Sequence, residues 1–306
     1  MNRRSFLAAA LAAPGVFARN RFDYGRIAVL TDEVARTPED AIVFAHQYNL
    51  HWVELREVPG KRGAYWSLPD DELRATAKGL AENGLKVSFL NTGLLKFQLP
   101  GTERARPRQE TAAQRDARLA SEAARFDRRM ADLQLAIRAA HSFDVDKVRV
   151  FAFTRTPDPA GVYPRVADII GEMAHAASKE GVHLLLENEN SCNVGSSSEA
   201  AALLALLPKE VGLNWDPDNA LGLDETPFPD GYALLRKERL MNVQIKAKSL
   251  LPEYHKTIIN WTGIFDALAN DGYGGKVGLE THIFDGTLIE AAHKSLAEIR
   301  RILNVA

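Results

Sequence analysis

Eight short apolar runs recur along this chain, and a longer stretch with helical patterning follows each of them. The runs lie at 26–30, 51–56, 86–91, 147–153, 183–187, 212–216, 242–246 and 276–280. The helical stretches lie near 38–48, 69–83, 111–142, 164–180, 198–207, 232–238, 261–270 and 287–302. Strands separated by helices pair in parallel, through crossovers that cover the sheet. Eight such units predict an α/β chain closed into a single-domain (β/α)8 barrel. Local punctuation agrees. Thr37 precedes Pro38 with Asp40 following, and Ser197 and Ser198 precede Glu199, as helix starts require. Asn83-Gly84, Glu180-Gly181 and Asp271-Gly272 each close a helix just before a strand.

Four acidic or amide residues stand at or near the ends of the last four runs. They are Glu187 in HLLLENEN, Asp216 in VGLNWDPDN, Gln244 in MNVQIKAK and Glu280 in KVGLETHI. Their spacings of 29, 28 and 36 residues each match one strand, one helix and two loops. In the predicted barrel they meet at the C-terminal face, where active sites of this architecture lie. Three carboxylates and one carbonyl oxygen suit one hard divalent cation, Mn²⁺ or Mg²⁺ first, with Co²⁺ or Zn²⁺ as further candidates. Such a set leaves room for two substrate oxygens, for example a carbonyl and its neighbouring hydroxyl. The expected chemistry is polarisation of that carbonyl and stabilisation of the enediolate formed when the adjacent proton leaves. Glu187 and Glu280, from opposite sides of the mouth, are then the candidate base and acid. Taken singly, each has an ordinary reading as a strand-end group that caps a helix or pairs with a lysine. Four at successive strand ends favour a site.

The first 18 residues, MNRRSFLAAALAAPGVFA, carry Arg3-Arg4, a short apolar stretch and small residues up to Ala18. That pattern predicts a twin-arginine-type signal over 1–18, a barrel domain over 19–306 and a periplasmic or other extracytoplasmic location. The apolar stretch is shorter than the roughly 20 residues a spanning helix needs, so no stable membrane anchoring is expected once the signal is cleaved. Net charge is −2, which gives no general attraction to nucleic acid. Cys192 is the only cysteine, so no internal disulfide forms. A homo-oligomer is compatible with the sequence.

WVELRE, LLLENEN, NWDPDNA, NVQIKAK and GLETH together resemble the xylose isomerase-like TIM barrel superfamily of sugar phosphate isomerases and epimerases. The resemblance runs from Ile27 to the last helix. It implies metal ligands at Glu187, Asp216, Gln244 and Glu280, with Gln244 standing where the family has a histidine. It also implies substrate contacts at Asn219 and Lys246, and a sugar or sugar-derived ketone as the small-molecule partner. Family chemistry includes isomerisation, epimerisation and dehydration next to a carbonyl.

Three further readings remain open: a lyase or dehydratase on keto-sugars or keto-glycosides, a non-catalytic sugar-binding barrel, and an abasic-site nuclease. The missing histidine and the near-neutral charge speak against the last.

Further candidate substrate-binding residues come from position. Glu54 and Arg56 alternate with Val53 and Leu55, and Arg149 lies similarly on the fourth run, so all three point into the barrel or pair within it. His255 and His282 follow ligand-bearing strands. Trp66, Trp215 and Trp261 offer either a sugar-stacking face or core packing. The long loop over 94–110, with Arg104, Arg106 and Arg108, is placed to cover the mouth and to meet an anionic substrate or solvent.

Overall fold

Each of the eight apolar runs forms a strand in the computed structural model, which describes residues 21–106, 108–255 and 257–305. They are β1 (Ile27–Leu30), β2 (Trp52–Leu55), β3 (Lys86–Leu94), β4 (Lys147–Val150), β5 (His183–Glu187), β6 (Gly212–Trp215), β7 (Leu240–Ile245) and β8 (Lys276–Leu279). All pair in parallel and in chain order, and β8 closes onto β1. The chain is therefore a closed eight-stranded barrel with helices around it. The expected signal over 1–18 lies outside the described residues. Among the described residues, no helix is long and apolar enough to cross a membrane.

Side chains alternate along each strand, and the two faces differ in chemistry. Leu184 and Leu186 of β5, Val243 and Ile245 of β7, and Val277 and Leu279 of β8 join helix residues such as Ile170, Leu203, Leu268 and Leu296 in one apolar core. Each such side chain contributes about 1.5–3 kcal/mol through burial, so the core between sheet and helices dominates the folding energy. The residues of opposite parity turn into the barrel, and toward the C-terminal end most of these are polar: Glu54, Asn91, Arg149, Glu187, Asn214, Asn242 and Gln244. The helices thus fasten the sheet from outside and leave the interior free for chemistry.

Local capping follows the sequence in kind, with one shift in position. Thr37 caps Pro38–Gln47 through a 3.1 Å bond from the Asp40 amide. The cap of Ser197–Leu204 is Ser196, one residue before the expected pair, because its reciprocal box with Glu199 satisfies two amides at once. Gly84 and Gly181 adopt φ of +69° and +73°, the left-handed turn that ends a helix at low cost only with glycine.

Two helices differ from expectation. The stretch at 111–142 is two helices, Ala112–Asp127 and Arg129–Ser142. The first has no buried residue, whereas the second packs Leu133, Ala136, Ile137 and Ala140 into the core. The stretch at 232–238 shrinks to Tyr232–Leu234. Leu235 turns extended, and the Lys237 ammonium takes the Tyr232 and Leu235 carbonyls at 2.5 and 2.9 Å.

Candidate metal centre

Glu187 ends β5, Asp216 and Glu280 directly follow β6 and β8, and Gln244 lies near the end of β7. Strand pairing brings the three carboxylates together at the C-terminal mouth. One oxygen from each of Glu187, Asp216 and Glu280 lies within 4.8 Å of the others. All three groups are buried, as is Gln244.

Each carboxylate is held on part of its surface by protein donors. Arg149 Nη1 and Asn214 Nδ2 reach Glu187 Oε2 at 3.1 and 2.5 Å. Asp216 Oδ1 accepts the amides of Asp218 and Asn219 at 2.9 and 3.2 Å, which caps the short helix Pro217–Leu221. Asp216 Oδ2 accepts from Asn219 Nδ2 at 2.8 Å and from the Lys246 ammonium at 2.6 Å. The Asn188 amide group braces the Asp216 backbone from both sides, accepting its N–H at 2.8 Å and donating to its C=O at 2.7 Å. Asp216 thus fulfils its ordinary role as cap and lysine partner while keeping its place in the cluster.

Arg56 Nη1 binds Glu280 Oε1 at 2.8 Å, and Nη2 binds Asp32 and Glu33 at 2.7 and 2.6 Å. Lys246 lies 3.7 Å from Glu280 Oε2 and 3.1 Å from Asn219 Oδ1.

Charge compensation sets the protonation states. Burial raises the Glu280 carboxyl, but Lys246, Arg56 and Arg149 outweigh it and hold the group well below the ordinary carboxylate range. Burial lowers Lys246, and the facing Asp216 and Glu280 reverse this and keep the ammonium charged. Burial pushes the Asp216 carboxyl up against the pull of Lys246. With four donors and no acceptor on its two oxygens, its surroundings are those of a carboxylate.

Whether these residues suit a cation is decided by what the hydrogen bonds leave over. Among the described residues, Gln244 Oε1 and Glu280 Oε2 are both buried acceptors without a hydrogen-bond partner. Unpartnered buried acceptors are costly, and Glu280 Oε2 in the cluster, with Gln244 Oε1 from near the end of the neighbouring strand, matches a cation-binding donor set. Arg149, Asn214, Asn188 and Arg56 orient those donors, the supporting role that outer-shell partners play at metal sites. The residues fit a hard divalent ion.

The other predicted residues fall into distinct places. Asn219 and Lys246 touch the cluster directly, as described. Arg149 is buried against Glu187, and Arg56 bridges to Glu280 with its side chain 22% exposed. Glu54 lies fully buried, its oxygens taken by Asn91, Asn242 and Gln244 at 2.8–2.9 Å. Burial pushes its carboxyl up to about 7, against those three hydrogen bonds. His282, at φ +55°, donates its backbone amide to Glu33 Oε2 at 2.6 Å and holds Nδ1 3.8 Å from Glu33 and Glu280. His255 is exposed and its ring folds back on the Thr257 amide at 3.0 Å, so the structure does not bring it to the carboxylates. Trp215 and Trp261 are core residues.

The arginine-rich loop is tied down by pairs of its own. Arg118 holds Glu110 at 2.6 Å, Arg104 lies 3.6 Å from Glu122, and the Ala105 amide donates to Arg155 at 2.8 Å. Asp32, Glu33, Asn91, Asn214 and Asn242 were missed as site residues. The strand-end rule finds Asp32 and Glu33 once it is applied to β1, and period-two counting finds Asn242 from Gln244. A cavity of about 780 Å³ lies elsewhere, near Trp52, Lys147 and Lys276 at the starts of their strands, and includes none of the clustered carboxylates.

The sequence matches the family model of the xylose isomerase-like TIM barrel over residues 42–302. No curated protein matches it. Among solved structures it is similar to D-psicose 3-epimerase in the presence of D-fructose, with TM-score 0.63 and 15% identity over 91% of this chain and 99% of that one. A xylose isomerase-like TIM barrel protein from Mycobacterium smegmatis in complex with magnesium gives TM-score 0.62 and 17% identity over 92% and 98%. A 3-keto-D-glucoside 4-epimerase from E. coli, in its apo form, gives TM-score 0.65 and 15% identity over 90% and 99%. At these identities the likeness is one of fold.

Proposed function

The chain belongs to the xylose isomerase-like TIM barrel family, and on that premise we propose that it is a divalent-metal-dependent sugar isomerase or epimerase. One observation carries the proposal: three carboxylates converge at the barrel mouth while, among the described residues, Gln244 Oε1 and Glu280 Oε2 are buried without a hydrogen-bond partner. Glu187, Asp216, Gln244 and Glu280 would hold the ion, with Mn²⁺ or Mg²⁺ favoured by an all-oxygen set. When bound, the ion would polarise a carbonyl of a sugar or sugar-derived ketone. The relatives named as epimerases and the one named with magnesium support this class of substrate and cofactor.

Glu187 and Glu280 approach the cluster from β5 and β8, so they can address a substrate carbon from different sides. Glu280 and Glu187 would then form the pair that takes the proton next to the carbonyl and returns one, the returning carboxyl entering the step protonated. Arg149 and Asn214 fix Glu187 through hydrogen bonds to Oε2. Lys246 and Asn219, joined at 3.1 Å, would bind substrate hydroxyls.

Incubation with keto-sugars and Mn²⁺ in D₂O tests the reading. Deuterium should enter the carbon next to the carbonyl, and Glu187→Gln or Glu280→Gln should slow this by at least about 100-fold. Unchanged turnover in either variant would sink the assignment, and release of water or an aglycone would mark a lyase. The Arg3-Arg4 segment supports action outside the cytoplasm, on unphosphorylated sugars. N-terminal sequencing of the exported protein should then begin at Arg19.

A further inference from the structure

Glu54 reaches across the barrel interior from β2 toward β7. Its Oε1 accepts from Asn242 Nδ2 at 2.9 Å, and its Oε2 accepts from Asn91 Nδ2 at 2.9 Å and Gln244 Nε2 at 2.8 Å. Three amide donors therefore meet one carboxylate. Space for this comes from Gly278, the register partner of Gln244 on β8, where any Cβ would overlap Glu54 Oε1.

A glutamine amide has two ends of nearly equal shape and opposite polarity. Only the carbonyl end can bind a cation, because the NH₂ end would repel it. Flipping Gln244 would set its carbonyl oxygen against the Glu54 oxygen that accepts from Asn91 and Gln244, and would forfeit the Gln244 bond. Glu54 thereby forces the Nε2 end toward itself and turns Oε1 the other way. That oxygen is buried and has no hydrogen-bond partner among the described residues. Two residues further along the same face of β7, Lys246 touches Asp216 and Glu280.

We infer that Glu54 is a positioning residue that locks the Gln244 amide with its carbonyl oxygen toward Glu187, Asp216 and Glu280, and so sets the centre's affinity for a divalent cation. The inference rests on the metal-dependent reading above and deepens it. It explains how a glutamine serves at a ligand position: a buried carboxylate on the opposite strand chooses which end of the amide faces the ion.

The test is calorimetric titration of Mn²⁺ into the metal-stripped full-length protein. Glu54→Met leaves Gln244 Nε2 without an acceptor and frees the amide to flip, so Mn²⁺ affinity should fall about 10- to 100-fold. Glu54→Gln can still offer a carbonyl oxygen to Gln244 Nε2, with its own NH₂ turned to Asn242, and should lose clearly less affinity than Glu54→Met. In a Gln244→Ala background, Glu54→Met should have no further effect. If Glu54→Met does not fold, Glu54→Asp withdraws the carboxylate by one methylene and is read in the same way.

Equal losses in Glu54→Gln and Glu54→Met would mean that the charge of Glu54, and not its aim, is what counts, and would overturn the inference. Unchanged affinity in Glu54→Met would overturn it too, while leaving the metal centre intact. A wild type that binds no Mn²⁺ would instead remove the metal-dependent reading itself, and this inference with it.

Discussion

The Lys246 ammonium stands 2.6 Å from Asp216 and 3.7 Å from Glu280, in the position a competing cation would want. Among the described residues it is the lysine that reaches the clustered carboxylates, and a bound ion would compete with it for them. Lys246→Met should therefore act in opposite directions in the two states. In the stripped protein it leaves buried carboxylates uncompensated and should cost about 3–5 kcal/mol of stability. With saturating Mn²⁺ most of that loss should return, and Mn²⁺ should bind more tightly than in wild type. Urea unfolding with and without Mn²⁺ reads this directly. Equal destabilisation in both states would mean that Mn²⁺ does not take over the charge compensation that Lys246 supplies beside Arg56 and Arg149. The four proposed ligands were legible in the sequence because each stands at the end of an apolar run, where topology alone fixes the destination. What Lys246 and Glu54 do there was not legible. Both depend on which atoms meet across strands remote in sequence, 190 residues apart for Glu54 and Gln244.

Strands and most helices were legible from period and punctuation, because parallel barrel strands are short, apolar and separated by capped helices. Boundaries slipped where the deciding contact is tertiary, and the helix Ser197–Leu204 shows this. Its own box is at Ser196, yet its first amides are also satisfied from another loop. Glu225 accepts Ser197 N at 2.8 Å and Ser198 N at 3.0 Å, so a carboxylate stands at the positive end of the helix. Burial pushes the Glu225 carboxyl up, but its hydrogen bonds to Ser197 and Ser198 outweigh this and hold it below its ordinary value. A depressed folded pKa gives stability that is present above the unfolded value of about 4.3 and fades as pH falls through the folded one. Glu225→Gln should thus destabilise the protein at pH 7 and much less at pH 3. Urea midpoints of the two proteins at both pH values check the sign, and an equal gap at both would remove the electrostatic share. At β8, Gly278→Ala tests the strand in the same way. Its new Cβ would collide with Glu54, and overpacking of this kind costs about 1–3 kcal/mol.

At the scale of the whole molecule, the proposed ligands come from four consecutive strands, β5 to β8, and span residues 187–280. An unfolded chain cannot gather them, so an ion would bind the closed barrel alone and stabilise it by linkage. At a free Mn²⁺ concentration one hundred times its dissociation constant, that stabilisation is about 2.7 kcal/mol. For a domain of this size each kcal/mol moves the melting temperature by about 1.5–2 °C, so stripping with EDTA should lower it by roughly 4–5 °C. Adding back Mn²⁺ should raise it again, in proportion to the logarithm of concentration once above saturation. Because half the staves of the barrel converge on the ion, the shift should appear as one cooperative transition, without a separate melting of the mouth. Gln244→Ala removes one donor and should move the whole concentration curve to higher Mn²⁺. Glu225→Gln, remote from the cluster, should lower every melting temperature by the same amount and leave the Mn²⁺ dependence intact. A melting temperature indifferent to EDTA and to millimolar Mn²⁺ would mean that Lys246, Arg56 and Arg149 already complete the charge balance of this mouth. The proposed metal dependence would then fall.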